Sequence, residues 1–162
     1  MIPDNKILEI IKHYVKSYEL DVVLDPVSIS SVGKRLSSEG LELEIERNLF
    51  PLVNDWVGAV SEASYFSNID ISSFQNIKLA KKAGNLLLDV LLTENDLIKK
   101  EKTVIIKSIP NREDELIDLA CIYRKIESNY EKSFQIFNKR KLNLEGNVHG
   151  TGCVFSSAIA AY

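Results

Sequence analysis

Three short apolar runs, each halted at charged residues, constrain the fold of this chain more than any other feature. They are Val22-Val-Leu24, ending at Asp25-Pro26; Trp56 to Val60, followed by Ser61-Glu62; and Thr103-Val-Ile-Ile106, ending at Lys107. Short continuous apolar runs are how strands buried on both faces read, and the third is rich in β-branched residues. Stretches of helical spacing surround them. From Asp4 to Glu19, apolar residues fall at Ile7, Ile10, Ile11, Tyr14, Val15 and Tyr18, and Asp4 is placed to cap the helix. Leu41 to Val53 is amphipathic and interrupted by Pro51, and a long helix capped by Ser72 or Ser73 runs to about Leu92. Alternating helices and buried strands predict an α/β fold, a mostly parallel sheet with helices on both faces. Such sheets bind ligands at the carboxyl ends of their strands, so Asp25, Glu62 and Lys107 are expected to line one rim.

The remaining segments are assigned more coarsely. Residues 28–38 are Ser-rich, contain Gly33 and read as a loop, and a turn or short helix is expected around Ser61-Glu62-Ala63. Leu116 to Tyr123 and the alternating stretch with Tyr130, Phe134, Ile136 and Phe137 form a hairpin or edge strands. Phe134, Ile136 and Phe137 are assigned to the core, and Asn111 to Glu115 to a solvated loop. With 162 residues and no repeat or linker, residues 1–162 read as a single domain. A net charge of -3 without a basic stripe argues against nucleic acid as partner. No apolar run reaches membrane-spanning length, which argues against a membrane. Cys121 and Cys153 make no disulfide framework, so a cytoplasmic location is expected.

The most specific chemistry lies in His149-Gly-Thr-Gly-Cys153, which runs into the small-residue stretch Val154 to Tyr162. Gly150 and Gly152 permit positive φ and leave no side chain in a ligand's path. A helix starting there presents free N–H groups and the positive end of its dipole, an arrangement suited to a phosphate. Taken singly, these residues say less. Asp25 before proline reads as a turn aspartate, Glu62 as a solvated helix-start acid, Lys107 as a surface lysine, and Cys153 as a small buried residue.

In company they resemble one family. Asn147-Val-His-Gly-Thr-Gly-Cys-Val-Phe-Ser-Ser-Ala-Ile-Ala-Ala161 is similar to the signature of the hydroxymethylpyrimidine (phosphate) kinases of thiamine biosynthesis, which are ribokinase-like enzymes. That signature reads Asn-Thr-His-Gly-Thr-Gly-Cys before a Ser/Ala-rich helix. Val22-Val-Leu-Asp-Pro-Val27 with Gly33 and Leu36, and Leu49 to Ala63, resemble two further blocks in the same order. The resemblance implies a ribokinase-like fold and ATP-dependent phosphorylation of a small pyrimidine with Mg²⁺. It implies that Cys153 is the catalytic base and that Gly150, Thr151 and Gly152 form the anion hole. Asp25 would sit near the phosphates and Mg²⁺, Glu62 would act on Mg²⁺ through water, and Lys107 would help form the nucleotide pocket.

The departures from the family pattern are specific. The family's Thr-Pro-Asn is here Val57-Gly58-Ala59, and its Lys-Gly-Gly-His is Lys107-Ser108-Ile109-Pro110. The resemblance covers the C-terminal two-thirds of such kinases, so the chain is expected to be truncated at both ends. On that expectation Val22–Leu24 and Thr103–Ile106 become exposed edges, and the chain self-associates as a homo-oligomer or is marginally stable, with little kinase activity alone. Two alternatives stand beside the kinase: a catalytically weakened binding or regulatory module, and a pyridoxal kinase.

Overall fold

The computed structural model describes residues 2–27, 36–92, 101–126, 129–141 and 151–161. The Ser-rich loop with Gly33, and His149 and Gly150 of the glycine turn, lie outside these residues. Helix α1 (Asn5–Tyr18) begins where Asp4 accepts the Ile7 N–H at 3.0 Å, the N-cap expected from the sequence. Strand β1 (Val23–Leu24) follows, then α2 (Leu41–Asn48), which stops ahead of Pro51 in a 3₁₀ turn over Phe50–Leu52. Strand β2 (Asp55–Ala59) leads directly into α3 (Val60–Ser67), the short helix expected around Ser61-Glu62-Ala63.

The long helix starts later than Ser72 or Ser73. Asp70 accepts hydrogen bonds from both the N–H and the hydroxyl of Ser72, closing a 3₁₀ turn over Ile71–Gln75. Asn76 then caps α4 (Ile77–Leu91) by accepting the Lys78 N–H at 3.0 Å. Ser72 is consumed by the preceding turn, so the cap passes to the next Asx residue.

Five strands form one sheet in the order β1-β2-β3-β4-β5, with β3 Lys102–Arg112, β4 Glu115–Ile126 and β5 Asn129–Arg140. The pairings β1–β2 and β2–β3 are parallel, whereas β3–β4 and β4–β5 are antiparallel, so an α/β sheet of mixed sense replaces the mostly parallel one. The physical reason is the connection at Asn111–Glu115. Only Glu113 and Asp114 separate β3 from β4, too few for the crossover that parallel pairing needs. The expected loop is therefore a tight hairpin turn flanked by strand residues. Strand β3 is also not an edge, because β2 and β4 pair with it on its two sides. Among the described residues β1 and β5 hold the edges.

Trp56, Phe50, Phe74 and Leu87 are fully buried, on the side of the sheet that α4 covers. On β4 the residues Ile117, Leu119, Cys121 and Tyr123 alternate onto that face, as a strand period of two requires. Cys121 meets α4 at Gly84, where a Cβ on the glycine would lie 2.1 Å from the cysteine sulfur. Phe134 packs half-buried against this core, but Ile136 and Phe137 are 42% and 53% exposed and are not core residues. Both sit on β5, which has β4 beside it on one side only among the described residues. Helix α5 (Thr151–Ala160) packs against β1 and brings its first turn to the carboxyl ends of the strands.

Candidate active site

Asp25 immediately follows β1, and Lys107 lies on β3, whose parallel pairing with β2 ends at the lysine. The two are separated by β2, yet Lys107 Nζ stands 3.2 Å from Asp25 Oδ2. A span of two strand spacings, about 9–10 Å, is within reach of a lysine side chain and few others. Ala59 is the register partner of Lys107 on β2, and its methyl group leaves the crossing open. Both charged side chains are nearly enclosed, at 12% exposure for the lysine and 13% for the aspartate.

Helix α5 closes the arrangement from the other side. The Ser156 hydroxyl lies 2.6 Å from Asp25 Oδ2 and 2.9 Å from the Gly152 carbonyl oxygen. Its single proton goes to the carboxylate, the charged and closer acceptor. Gly152 sits directly over the ion pair. A Cβ there would be 3.2 Å from Lys107 Nζ and 4.0 Å from Asp25 Oδ2, so a side chain would fill the space in which the lysine ammonium meets the helix. The exposed Cys153 borders an open depression of about 350 Å³ together with Asp25, Val27, Leu36, Ser156 and Ser157.

The site residues expected from the sequence therefore divide. Asp25, Lys107, Gly152 and Cys153 converge, and the backbone of Thr151 opens the helix beside them. Gly150 is outside the described residues. Glu62 is engaged locally: its carboxylate accepts the Ala59 N–H at 2.9 Å and the Ser61 hydroxyl at 3.0 Å, which caps α3. Ser156 was not anticipated. Its spacing of four from Gly152 and three from Cys153 puts it on their helical face, but a serine in a run of small helical residues carries no signal of its own.

The donor set suits a phosphate and the ion that accompanies it. An ammonium, a glycine and first-turn helix amides favour an anion, and one carboxylate supplies a hard oxygen. No group of three or more His, Cys, Asp or Glu side chains forms a metal cage among the described residues. Mg²⁺ is commonly held by one or two carboxylates plus the substrate's own phosphates, and Asp25 is the carboxylate that would serve it here.

The sequence model of the phosphomethylpyrimidine kinase family matches residues 1–162. The chain belongs to this family. Among its relatives is the thiamine biosynthesis bifunctional protein ThiED of Geobacter sulfurreducens, 30% identical over 141 residues, which cover 87% of this chain and 24% of that protein. The hydroxymethylpyrimidine/phosphomethylpyrimidine kinase of Staphylococcus aureus is 26% identical over 162 residues, covering 99% of this chain and 52% of the relative. In three dimensions the chain matches a phosphomethylpyrimidine kinase from Clostridium difficile with TM-score 0.68 and 23% identity, over 100% of this chain and 57% of that one. A Bacillus subtilis pyridoxal kinase solved with ADP matches with TM-score 0.69 and 19% identity, over 99% and 54%. These likenesses show a ribokinase-like fold, and the chain spans about half the length of the relatives it matches most fully. No helix among the described residues is long and apolar enough to cross a membrane.

Proposed function

We propose that this chain carries the phosphoryl-transfer site of an ATP-dependent kinase acting on hydroxymethylpyrimidine or its phosphate, in the thiamine pathway named for its relatives. One observation carries the reading: the Lys107–Asp25 ion pair lies beneath Gly152 at the start of α5, with Cys153 open to the adjoining cavity. The proposed setting is the cytoplasm, where both free cysteines stay reduced.

In this reading the thiolate of Cys153 takes the proton of the substrate hydroxymethyl group as its oxygen attacks the terminal phosphorus, and ADP leaves. The backbone of residues 150–152 and the Lys107 ammonium stabilise negative charge on the transferred group. Asp25 orients Lys107 and would offer an oxygen to Mg²⁺, while Ser156 fixes the carboxylate. The ion would offset phosphate charge when bound. Glu62, from its capping position on α3, would act on it through water.

A coupled ADP-release assay with hydroxymethylpyrimidine, its phosphate and pyridoxal as separate substrates tests this. Cys153→Ala is expected to lower turnover roughly 10²–10⁴-fold, the usual share of a general base. Unchanged turnover removes the base assignment, and turnover of pyridoxal alone changes the substrate. A second reading, a nucleotide-binding or regulatory module, draws on Ala59 and Ser108 standing where the family pattern has Asn and Gly. Calorimetric binding of ATP without turnover of any of the three substrates would select it.

A further inference from the structure

We propose that Asp118 is a positioning residue for Lys107, acting through a β-bulge at Lys107 and Ser108. The proposal rests on the reading of Lys107 as a group that stabilises the transferred phosphoryl. In the β3–β4 ladder Ile106 pairs with Leu119 and Ile109 with Ile117, so Lys107 and Ser108 together oppose Asp118 alone. Two residues against one make a bulge, which bends its strand and re-aims a side chain. Ser108 holds φ at 59°, a left-handed conformation that a non-glycine residue keeps only where its surroundings impose it. Asp118 imposes it here, because its Oδ1 accepts the Ser108 N–H at 2.7 Å. Lys139 Nζ in turn lies 2.8 Å from Asp118 Oδ2 and 3.3 Å from Ser108 Oγ. On β5, Lys139 stands two residues from Phe137, the register partner of Asp118, so the strand period puts lysine and aspartate on one face.

The bulge decides where Lys107 points. Ile106 and Ile109 are both buried in the same core, although residues three apart in a regular strand face opposite ways. One extra residue reconciles them, and it comes directly after Lys107. The lysine, next to Ile106 along the strand, faces the other way, where Asp25 and Gly152 meet its ammonium. Parallel pairing with β2 also stops at Ala59↔Lys107, so the hold on the next residue passes from the β2 ladder to the Asp118 carboxylate. Without that oxygen Ser108 relaxes towards a negative φ, the bulge shifts, and the ammonium leaves its 3.2 Å contact with Asp25. Lys102 supplies a control on the same strand. It is 2% exposed and donates to the Val53 carbonyl, at the end of β3 away from the bulge.

The test is a double-mutant cycle on the full chain, turning over hydroxymethylpyrimidine with MgATP. Asp118→Ala is expected to lower kcat by roughly 10–10²-fold, up to the cost of a displacement of about 1 Å, with the KM for the pyrimidine unchanged. In a Lys107→Met background the same substitution should lower kcat no further, because the two residues act as a unit. Asp118→Asn keeps an oxygen for the Ser108 N–H, and Ser108→Gly added to Asp118→Ala accepts the left-handed φ at no cost, so each should restore most of the loss. An equal loss in both backgrounds, or no loss in either, overturns the proposal and leaves the role of Lys107 standing. Unchanged turnover in Lys107→Met overturns both. A second readout needs no turnover: the ammonium resonances of chain grown on isotope-labelled lysine, with Lys107 assigned through Lys107→Met. Asp118→Ala should displace the Lys107 signal and leave that of Lys102 in place, and a Lys107 signal that does not move overturns the proposal. Should Asp118→Ala fail to fold, Lys139→Met, which releases the carboxylate, replaces it in both measurements. A smaller loss confined to chain with Lys107 then supports the proposal, and no change overturns it.

Discussion

Replacing Gly84 by alanine sets two effects of known sign against each other. Gly84 lies within α4, where glycine costs about 1 kcal/mol relative to alanine, so an exposed site would gain that amount. Here the new Cβ would lie 2.1 Å from Cys121 Sγ, 3.2 Å from Cys121 Cβ and 3.9 Å from Ile106 Cδ1. Comfortable contact needs about 3.5–4 Å, so α4 must retreat from β4 by more than an ångström or Cys121 must leave its rotamer. Overpacking of this kind costs about 1–3 kcal/mol, and the depth of the overlap puts the cost at the upper end. Gly84→Ala is therefore expected to destabilise by about 1–2 kcal/mol net. Cys121→Ala removes the sulfur and leaves the 3.2 Å contact, which a small shift relieves. In that background Gly84→Ala should be neutral or stabilising by up to about 1 kcal/mol, a coupling of about 1–3 kcal/mol between touching residues. Urea unfolding followed by fluorescence of Trp56, the single, fully buried tryptophan, measures all four corners of the cycle. An unfolding midpoint that rises for Gly84→Ala with Cys121 present, or an equal effect in both backgrounds, would refute the packing argument.

Three further outcomes are expected. Burial pushes the Cys121 thiol up to about 12, while Cys153 is exposed, so Ellman's reagent should titrate one thiol in the native chain and two in denaturant; two fast thiols would contradict the packing of Cys121. Asp55 is raised above its ordinary 3.8, chiefly by burial and then, against that, lowered by a hydrogen bond from Thr103. The folded state thus holds the proton more tightly, and stability present at low pH is lost as pH rises through the raised value. Asp55→Asn should therefore stabilise the chain at neutral pH, with the gain shrinking to nothing near 3.8 in pH-dependent urea titrations; a gain independent of pH would exclude this cause. Ser108 holds φ at 59°, a left-handed conformation in the position where the family pattern has glycine. Ser108→Gly should raise stability by about 1 kcal/mol, read as a higher melting temperature, and an unchanged temperature would show that no strain is stored there.

Much of this architecture was legible because its causes are local. Asp4 caps α1 through a residue three positions away, and the three apolar runs become β1, β2 and β3 because nothing else buries such short segments on both faces. The start of α4 is not legible in the sequence, because Ser72 and Asn76 are both competent caps. The contest was decided by Asp70, which draws Ser72 into a separate turn. Strand sense was harder still. An alternating stretch has the same period in either sense, and only the two-residue turn at Glu113-Asp114 distinguishes them.

The candidate site divides along the same line. The sequence by itself determined which chemical groups are available: a carboxylate after one buried strand, a lysine along another, and a glycine-cysteine turn opening a helix. Each follows from neighbours along the chain. Only the tertiary structure decided that Lys107 reaches across β2 to Asp25, 82 residues away. It also decided that Ser156, 131 residues from Asp25, would fix that carboxylate. Those partnerships depend on sheet order, on the small Ala59 side chain beneath the crossing and on the packing of α5 against β1. No pattern along the chain encodes distances between segments so far apart, because sheet pairing and helix packing set them.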